Sequence, residues 1–432
     1  MAVLANSVAA LAVAAEPTEL SKEATKEQAF LRWLEREGAD VSKVVWPVRD
    51  AHGGRKAMAA VDVAADAAAL AVPKALLMTP SAAEASDIGE YMVLHGLRGD
   101  VLLATFVVYE QSKGSASFWA PFLDMLPETP ETLCNWGGTA RGLLHDKDLE
   151  ERADSRDRWV ADLHYRYFTT LLCARYPELF PAAYYTLDRF RFAWFVVQSR
   201  AFGRKLEETA LVPLADCLNH GGDVACSYRV RDGAFELYPT ADGVYVAGGE
   251  LLNTYGPAPN SKLLLDYGFA LLDNPHDRLR LPLSLSPAER DPALPRRRAL
   301  LRRAGATAFP TLQLARGEYP DEAVCFLRVA LADDETLARL EARPALEVLD
   351  PLPADAEARV VEALDALLAD LEATCGPPRA DDAPALADRE AAAADPGARP
   401  ADHHALFALR YRMTRRSIAA SVRAELRDRA AA

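Results

Sequence analysis

The chain is 432 residues long, half of them apolar, and carries 49 Lys and Arg against 63 Asp and Glu for a net charge of −14. That length suffices for two or three domains with buried cores, and the composition excludes a disordered or fibrous protein. The negative balance argues against bulk attraction to nucleic acid or anionic lipid and fits a partner or substrate segment that is itself basic, while leaving room for a local basic patch.

Residues 1–24 open with the apolar stretch MAVLANSVAALAVAA and read as a disordered end, with an organelle-targeting leader as the alternative. Order is expected from Thr25, where Thr25 and Gln28 make a capping-box pattern before the helical face Phe30, Trp33 and Leu34, and Gly38 stops that helix. Short strand-like runs follow around Val44–Trp46, Lys56–Ala60 and Leu70–Val72. From about 87 to 201 the apolar period turns helical, and the aromatics Phe190, Phe192, Trp194 and Phe195 read as core packing. The period then shifts to two: Asp232-Gly233 between alternating runs predicts a hairpin, and a second Asp-Gly at Asp242-Gly243 extends it to a meander through Val244–Val246. Asn260 and Ser261 can cap a short helix over 262–267 that Gly268 ends.

After about Leu283 the chain is helical again. Val360, Leu364, Leu367, Leu368 and Leu371 form a stripe at helical spacing, residues 376–402 read as a low-complexity loop, and a closing helix near Leu406–Arg427 carries six arginines. Those arginines read as a solvated face, with a docking surface for an acidic partner as the alternative. The order implies an α+β fold: a β-rich domain over 25–282 interrupted by a helical insert at about 87–201, then an all-α lobe over 283–432.

The six cysteines are scattered, with no C-x-x-C pair and no histidine at zinc-ligand spacing, so free thiols of an intracellular protein and no metal are expected. No apolar run reaches the roughly 18 residues that span a bilayer, so no membrane partner is expected. Walker, G-x-S-x-G, G-x-G-x-x-G and H-E-x-x-H patterns are all missing, which excludes the commonest hydrolase, kinase, dehydrogenase and metalloenzyme chemistries. Three segments stand out instead: Val212-Pro213-Leu214-Ala215-Asp216-Cys217-Leu218-Asn219-His220, then Asn253-Thr254-Tyr255-Gly256-Pro257, then Asp266-Tyr267-Gly268-Phe269. Each alone has a plain structural explanation. Their order and spacing together do not.

In that order they resemble the SET-domain methyltransferases, in the subgroup of the RuBisCO large-subunit lysine methyltransferase and its animal relatives, and the likeness runs over about 26–430. Supporting stretches are Val72–Thr79, the insert Phe118–Pro127, the pair Ser199-Arg200 and the join Asn274-Pro275-His276-Asp277-Arg278. The resemblance implies a SET β-fold with a helical insert and a C-terminal substrate-binding lobe, S-adenosylmethionine as methyl donor, and a non-histone protein as acceptor. Lysine is the default acceptor, and some members of the wider group methylate histidine. Carried over onto matching positions, Tyr255 would be catalytic. Asn219, His220, Ser199, Arg200, Asp216, Gly54 and Arg55 would seat the cofactor, and Tyr267 and Phe269 would line the cofactor and the acceptor channel. The resemblance further implies a monomer without nucleic-acid partners, in the cytoplasm, or alternatively the chloroplast or nucleus.

The chemistry suits these roles. Methyl transfer from a sulfonium is an in-line displacement, so alignment is the main task. A lysine near its ordinary pKa of about 10.4 must lose a proton before it attacks, and an apolar aromatic channel lowers that pKa by desolvation. One departure stands in Gly53-Gly54-Arg55-Lys56-Ala57, where the family has Gly-x-Gly and Lys56 occupies the second glycine position. A side chain there could crowd the cofactor, so a binding module impaired in transfer is the alternative reading.

Overall fold

The structure is a computed structural model that describes residues 19–49, 55–222, 224–285, 291–344, 350–376, 382–395 and 398–431. The stretch 1–18 and Gly53 and Gly54 lie outside the described residues. The first helix spans Glu19–Arg36, so Thr25 sits inside it rather than capping it. Favourable residues ahead of Thr25 extend the turn further than the capping pattern suggested. Phe30, Trp33 and Leu34 are fully buried as their spacing requires.

Two antiparallel sheets frame the first domain. Strand β1 (Val44–Arg49) pairs with β2 (Arg55–Ala59) from Val44↔Ala59 to Arg49↔Arg55, with an irregularity between Val45 and Val48 around Pro47, which has no N–H to give the ladder. Strand β3 (Leu70–Pro73) lies beside β5 (Ala234–Pro239), which is hairpinned to β4 (Cys226–Arg231). Asp232 and Gly233 both take positive φ, at 50° and 79°, the conformation a two-residue turn between twisted strands demands. Phe235, Leu237, Leu70 and Val72 point inward on alternate positions. The expected third meander strand does not form. Tyr245 makes a single bridge to Val63, while Val244 and Val246 face solvent, because the paired edge of the sheet already belongs to β3.

Between these strands lies the helical insert. Its last helix, Leu187–Arg200, is capped by Thr186, packs along the helix Gly99–Ser112 and buries Phe190, Trp194 and Phe195, with Phe190 against His164 and Phe168 and Trp194 against Trp159. Ala201 turns to extended backbone and ends it, which leaves Ser199 and Arg200 at a fixed terminus beside the sheets.

A second core forms in the C-terminal region around the pair β6 (Leu279–Pro282) and β7 (Thr311–Leu314) and the helices that follow. In the helix Ala354–Thr374, Val360, Leu364 and Leu368 are buried, but Leu367 is exposed at the margin of the stripe. Leu364→Ala is therefore expected to cost about 2–5 kcal/mol and Leu367→Ala well under that, read from urea unfolding of the two variants. Residues 382–394, expected within a loop, form the helix Asp382–Ala394, since alanine has the highest helix propensity and the segment packs on the closing helix.

The closing helix, Pro400–Ala431, joins the two cores. Ala408 and Tyr411 belong to the first, and Ile418, Ala419, Val422 and Leu426 to the second. Its arginines match neither expected reading, because they bind within the molecule. Arg410 pairs with Glu390 at 2.8 Å, Arg423 with Asp365 and Glu372 at 3.0 and 2.6 Å, and Arg427 with Asp365 at 2.9 Å. Arg415 is buried against Asp146 at 3.4 Å.

Candidate active site

The site arises where two chain segments distant in sequence run side by side. The backbone N–H of Asn253 donates to the Asn219 carbonyl at 2.8 Å, and the N–H of Gly221 donates to the Asn253 carbonyl at 2.9 Å, a parallel bridge centred on His220. This pairing lays Tyr255 against His220. The Tyr255 backbone N–H donates to His220 Nδ1 at 3.1 Å, and the two rings stack at 4.9 Å. An Nδ1 that accepts carries no proton, and burial lowers the His220 pKa below its ordinary value, so the ring is neutral.

The Tyr255 hydroxyl donates to the Leu218 carbonyl at 2.9 Å. Burial pushes this phenol far above its usual range, with the Arg200 charge opposing, so it is a neutral hydroxyl and not a phenolate base. Tyr267 lies 4.6 Å from the Tyr255 ring and Phe269 lies 6.2 Å away, and burial raises the Tyr267 phenol to about 12. Arg200 Nη1 donates to both the Asp216 carboxylate and its carbonyl at 3.1 Å. Burial raises the Asp216 carboxyl and Arg200 opposes that rise. Leu214, just before, has φ of +70°, a conformation costing a leucine about 1–3 kcal/mol that the packed segment holds in place.

Ser199, Arg200, Asp216, Tyr255 and Tyr267 line one cavity of about 460 Å³. The other expected residues sit around it. His220 and Phe269 back the Tyr255 ring. Asn219 is exposed and donates to Glu250 Oε1 at 2.8 Å. Arg55 reaches the Met125 carbonyl at 3.1 Å, and its charge acts on Asp216. Gly54 lies outside the described residues. The Ser199 hydroxyl donates back to the Phe195 carbonyl one turn earlier at 2.7 Å.

Sequence reasoning gave no functional role to Phe202, Arg204, Lys205, Tyr228 and Lys262, which also line the cavity. The Arg204-Lys205 pair, a few residues past Ser199-Arg200, was the available signal. Asn253 was quoted within its motif but given no role; its side-chain oxygen is buried, with no hydrogen-bond partner among the described residues, and the residue lines the cavity.

Two glycines beside the site take left-handed backbone. Gly256 has φ of +91°, and a Cβ there would fall 2.1 Å from an Arg204 guanidinium nitrogen. At Gly268, with φ of +81°, it would meet the Glu131 carbonyl oxygen at 1.7 Å. Gly268→Ala is expected to destabilise the protein by at least about 1–3 kcal/mol, seen as a lower midpoint of thermal unfolding, because backbone there cannot yield as a side chain could.

Residues 288–418 match the family described as Rubisco LSMT substrate-binding. The chain is 28% identical over 300 residues to the chloroplastic ribulose-1,5 bisphosphate carboxylase/oxygenase large subunit N-methyltransferase of Pisum sativum, covering 67% of this chain and 60% of that one. It is 29% identical over 273 residues to the chloroplastic [fructose-bisphosphate aldolase]-lysine N-methyltransferase of Arabidopsis thaliana, covering 61% and 55%. It is 28% identical over 290 residues to the actin-histidine N-methyltransferase of Danio rerio, covering 64% and 48%. The chain thus spans about half to three fifths of the length of these relatives. Among solved structures, Rubisco LSMT bound to sinefungin and monomethyllysine superposes with a TM-score of 0.76 at 21% identity, over 94% of this chain and 92% of that one. The SET domain of LSMT bound to lysine and AdoHcy gives 0.74 at 20%, with the same coverage.

Residues 288–418 thus match the Rubisco LSMT substrate-binding family, and the chain has the fold of the LSMT SET-domain structures. The crossing of the 219 and 253 segments lies in its SET core. The substrate-binding match ends at Ile418, inside the closing helix whose first half packs on that core.

Proposed function

We propose that this chain is an S-adenosylmethionine-dependent protein methyltransferase acting on a lysine side chain of a non-histone protein, with Tyr255 as its catalytic residue. The observation that carries the reading is the backbone pairing of Asn219–Gly221 with Asn253, which sets the Tyr255 hydroxyl on the wall of a cavity lined by aromatic rings. When bound, S-adenosylmethionine supplies an electrophilic methyl group on a cationic sulfur.

The residues present fit that group. The Asn253 oxygen, with no partner among the described residues, is an acceptor able to take an amino or ammonium donor, and Tyr255 and Tyr267 line the same cavity with Phe269 packed behind them. Asn219 and His220 on one crossing segment, with Arg200, Asp216 and, at the first residue of β2, Arg55, would hold the cofactor; Gly54, also expected to, lies outside the described residues.

Transfer needs a neutral amine. No carboxylate or imidazole near Tyr255 is free to act as a strong base: His220 Nδ1 holds the Tyr255 N–H, and Asp216 is paired with Arg200. The ammonium instead loses its proton to water as it enters an aromatic, desolvating passage among Phe202, Tyr228, Tyr255 and Tyr267. Because the Tyr255 hydroxyl hydrogen goes to Leu218, its oxygen is left to accept an amine N–H and turn the nitrogen lone pair toward the methyl group.

The alternative of an impaired binding module rested on Lys56. That residue pairs with Val48 in β2 and has none of the left-handed backbone that would require glycine. Among the described residues no helix is long and apolar enough to cross a membrane. The expected compartment is cytoplasm, with the chloroplastic labels of the pea and Arabidopsis relatives favouring the plastid, and a monomer is expected.

Incubation of the full chain with tritiated donor and a cell extract, followed by mapping of the modified residue, tests this reading. Label on lysine of a discrete protein is the expected result. Label on histidine overturns the acceptor, and no label under saturating donor overturns the function.

A further inference from the structure

The lining of the cavity carries a charge opposite to that of the molecule. Four basic side chains line it, Arg200, Arg204, Lys205 and Lys262, against two acidic ones, Asp216 and Asp266. Asp216 is committed to Arg200, and Asp266 to Lys262 and Arg156. Arg204 and Lys205 are exposed and have no carboxylate partner among the described residues: the Lys205 amine meets only the neutral Ser227 hydroxyl, and the Arg204 guanidinium lies over Gly256. Their placement is fixed by the backbone, since Phe202 is bridged to Ala210 and the Tyr228 phenol sits against the 203–205 backbone. Two unneutralised cations therefore stand at the mouth of a passage proposed to admit a cationic side chain, in a protein whose net charge is −14.

We infer that the acceptor segment carries carboxylates immediately beside its target lysine, and that Arg204 and Lys205 select it by pairing with them. This rests on the reading that the cavity admits the acceptor. An ammonium alone is repelled by the rim. A flanking carboxylate removes that repulsion outside the passage, and the bare amine alone continues inward. It reverses the basic partner that net charge alone suggested, because screening over about 8 Å makes the nearest charges count more than the distant total.

The test uses the full chain and two fluorescein-labelled peptides with one central lysine, flanked on both sides by Glu in one and by Gln in the other. At low salt the Glu peptide is expected to bind about tenfold more tightly by anisotropy, an advantage that collapses in molar salt. In R204Q/K205Q, whose changes are exposed and whose melting point should match the parent, the two peptides become equal. In R204E/K205E an Arg-flanked peptide becomes the preferred ligand. Equal binding of the Glu and Gln peptides by the parent chain, or a Glu preference that survives in R204Q/K205Q, overturns the inference. Methyl transfer from tritiated donor is read in parallel. Transfer to both peptides with no Glu preference overturns the rim alone, whereas Glu-selective binding without transfer to any peptide supports the rim and counts against the proposed function.

Discussion

Tyr255→Phe is expected to lower the rate of methyl transfer by on the order of 10²-fold or more while leaving the fold intact. The substitution keeps the ring, and with it the stacking on His220 at 4.9 Å and the contact with Tyr267 at 4.6 Å. It removes one oxygen, held by the Leu218 carbonyl at 2.9 Å on the cavity wall. Losing a single pre-organised polar group at a reacting centre typically costs about 2.7–4 kcal/mol of barrier, which sets the size of the drop. The measurement is kcat/KM with tritiated donor, beside calorimetric titration of the donor and thermal unfolding. A loss confined to transfer places the hydroxyl at the reacting atoms. Unchanged labelling would remove Tyr255 from the mechanism, and weakened donor binding of the same size would make it a seat for the cofactor instead.

Asp146→Ala is expected to be the most destabilising single change outside the hydrophobic cores, at about 3–5 kcal/mol, because it strands a buried cation. The Asp146 side chain has three partners: it caps the helix Lys147–His164 by accepting from Leu149 N at 3.1 Å, it accepts from the Tyr411 hydroxyl at 2.7 Å, and it faces Arg415 at 3.4 Å. Tyr411 and Arg415 stand on the closing helix, and the neighbouring Thr414 hydroxyl donates to the Leu272 carbonyl. This cluster fastens the helix to the SET core, and one turn earlier Phe407 touches Phe269, itself packed on Tyr255 and His220. Tyr411→Phe, which leaves the ion pair, should cost only about 1–3 kcal/mol. Urea unfolding of both variants checks the order. An Asp146→Ala loss no larger than that of Tyr411→Phe would show that Arg415 finds water or another partner when the carboxylate is removed.

The readable parts of this molecule were those dictated by near neighbours in the chain. Asp232-Gly233 announces a hairpin because the turn needs positive φ at both residues, and Phe30, Trp33 and Leu34 announce a buried face because helical geometry aligns them. The three motif segments were legible as a set through family resemblance, with Tyr255 the residue hardest to explain by packing alone. Local signals failed where a distant part of the chain competed. Val244–Val246 alternates like a strand, yet the sheet edge it would join is taken by β3. The Ala-rich 382–394 stretch reads as low complexity, yet it gains a packing partner in the closing helix and folds as one itself.

By itself, then, the amino-acid order determined the local elements, the SET resemblance and the short list of chemistry-bearing residues, since these depend on spacing and residue type over a few turns. Only the tertiary structure decided which of those residues share a cavity, that the Ser199 hydroxyl is spent on its own helix, that the closing arginines bind inward, and that Arg204 and Lys205 line the cavity with no carboxylate partner among the described residues. Pairings across dozens to hundreds of residues depend on where the backbone brings charges and rings within a few ångströms, a distance that no local pattern encodes.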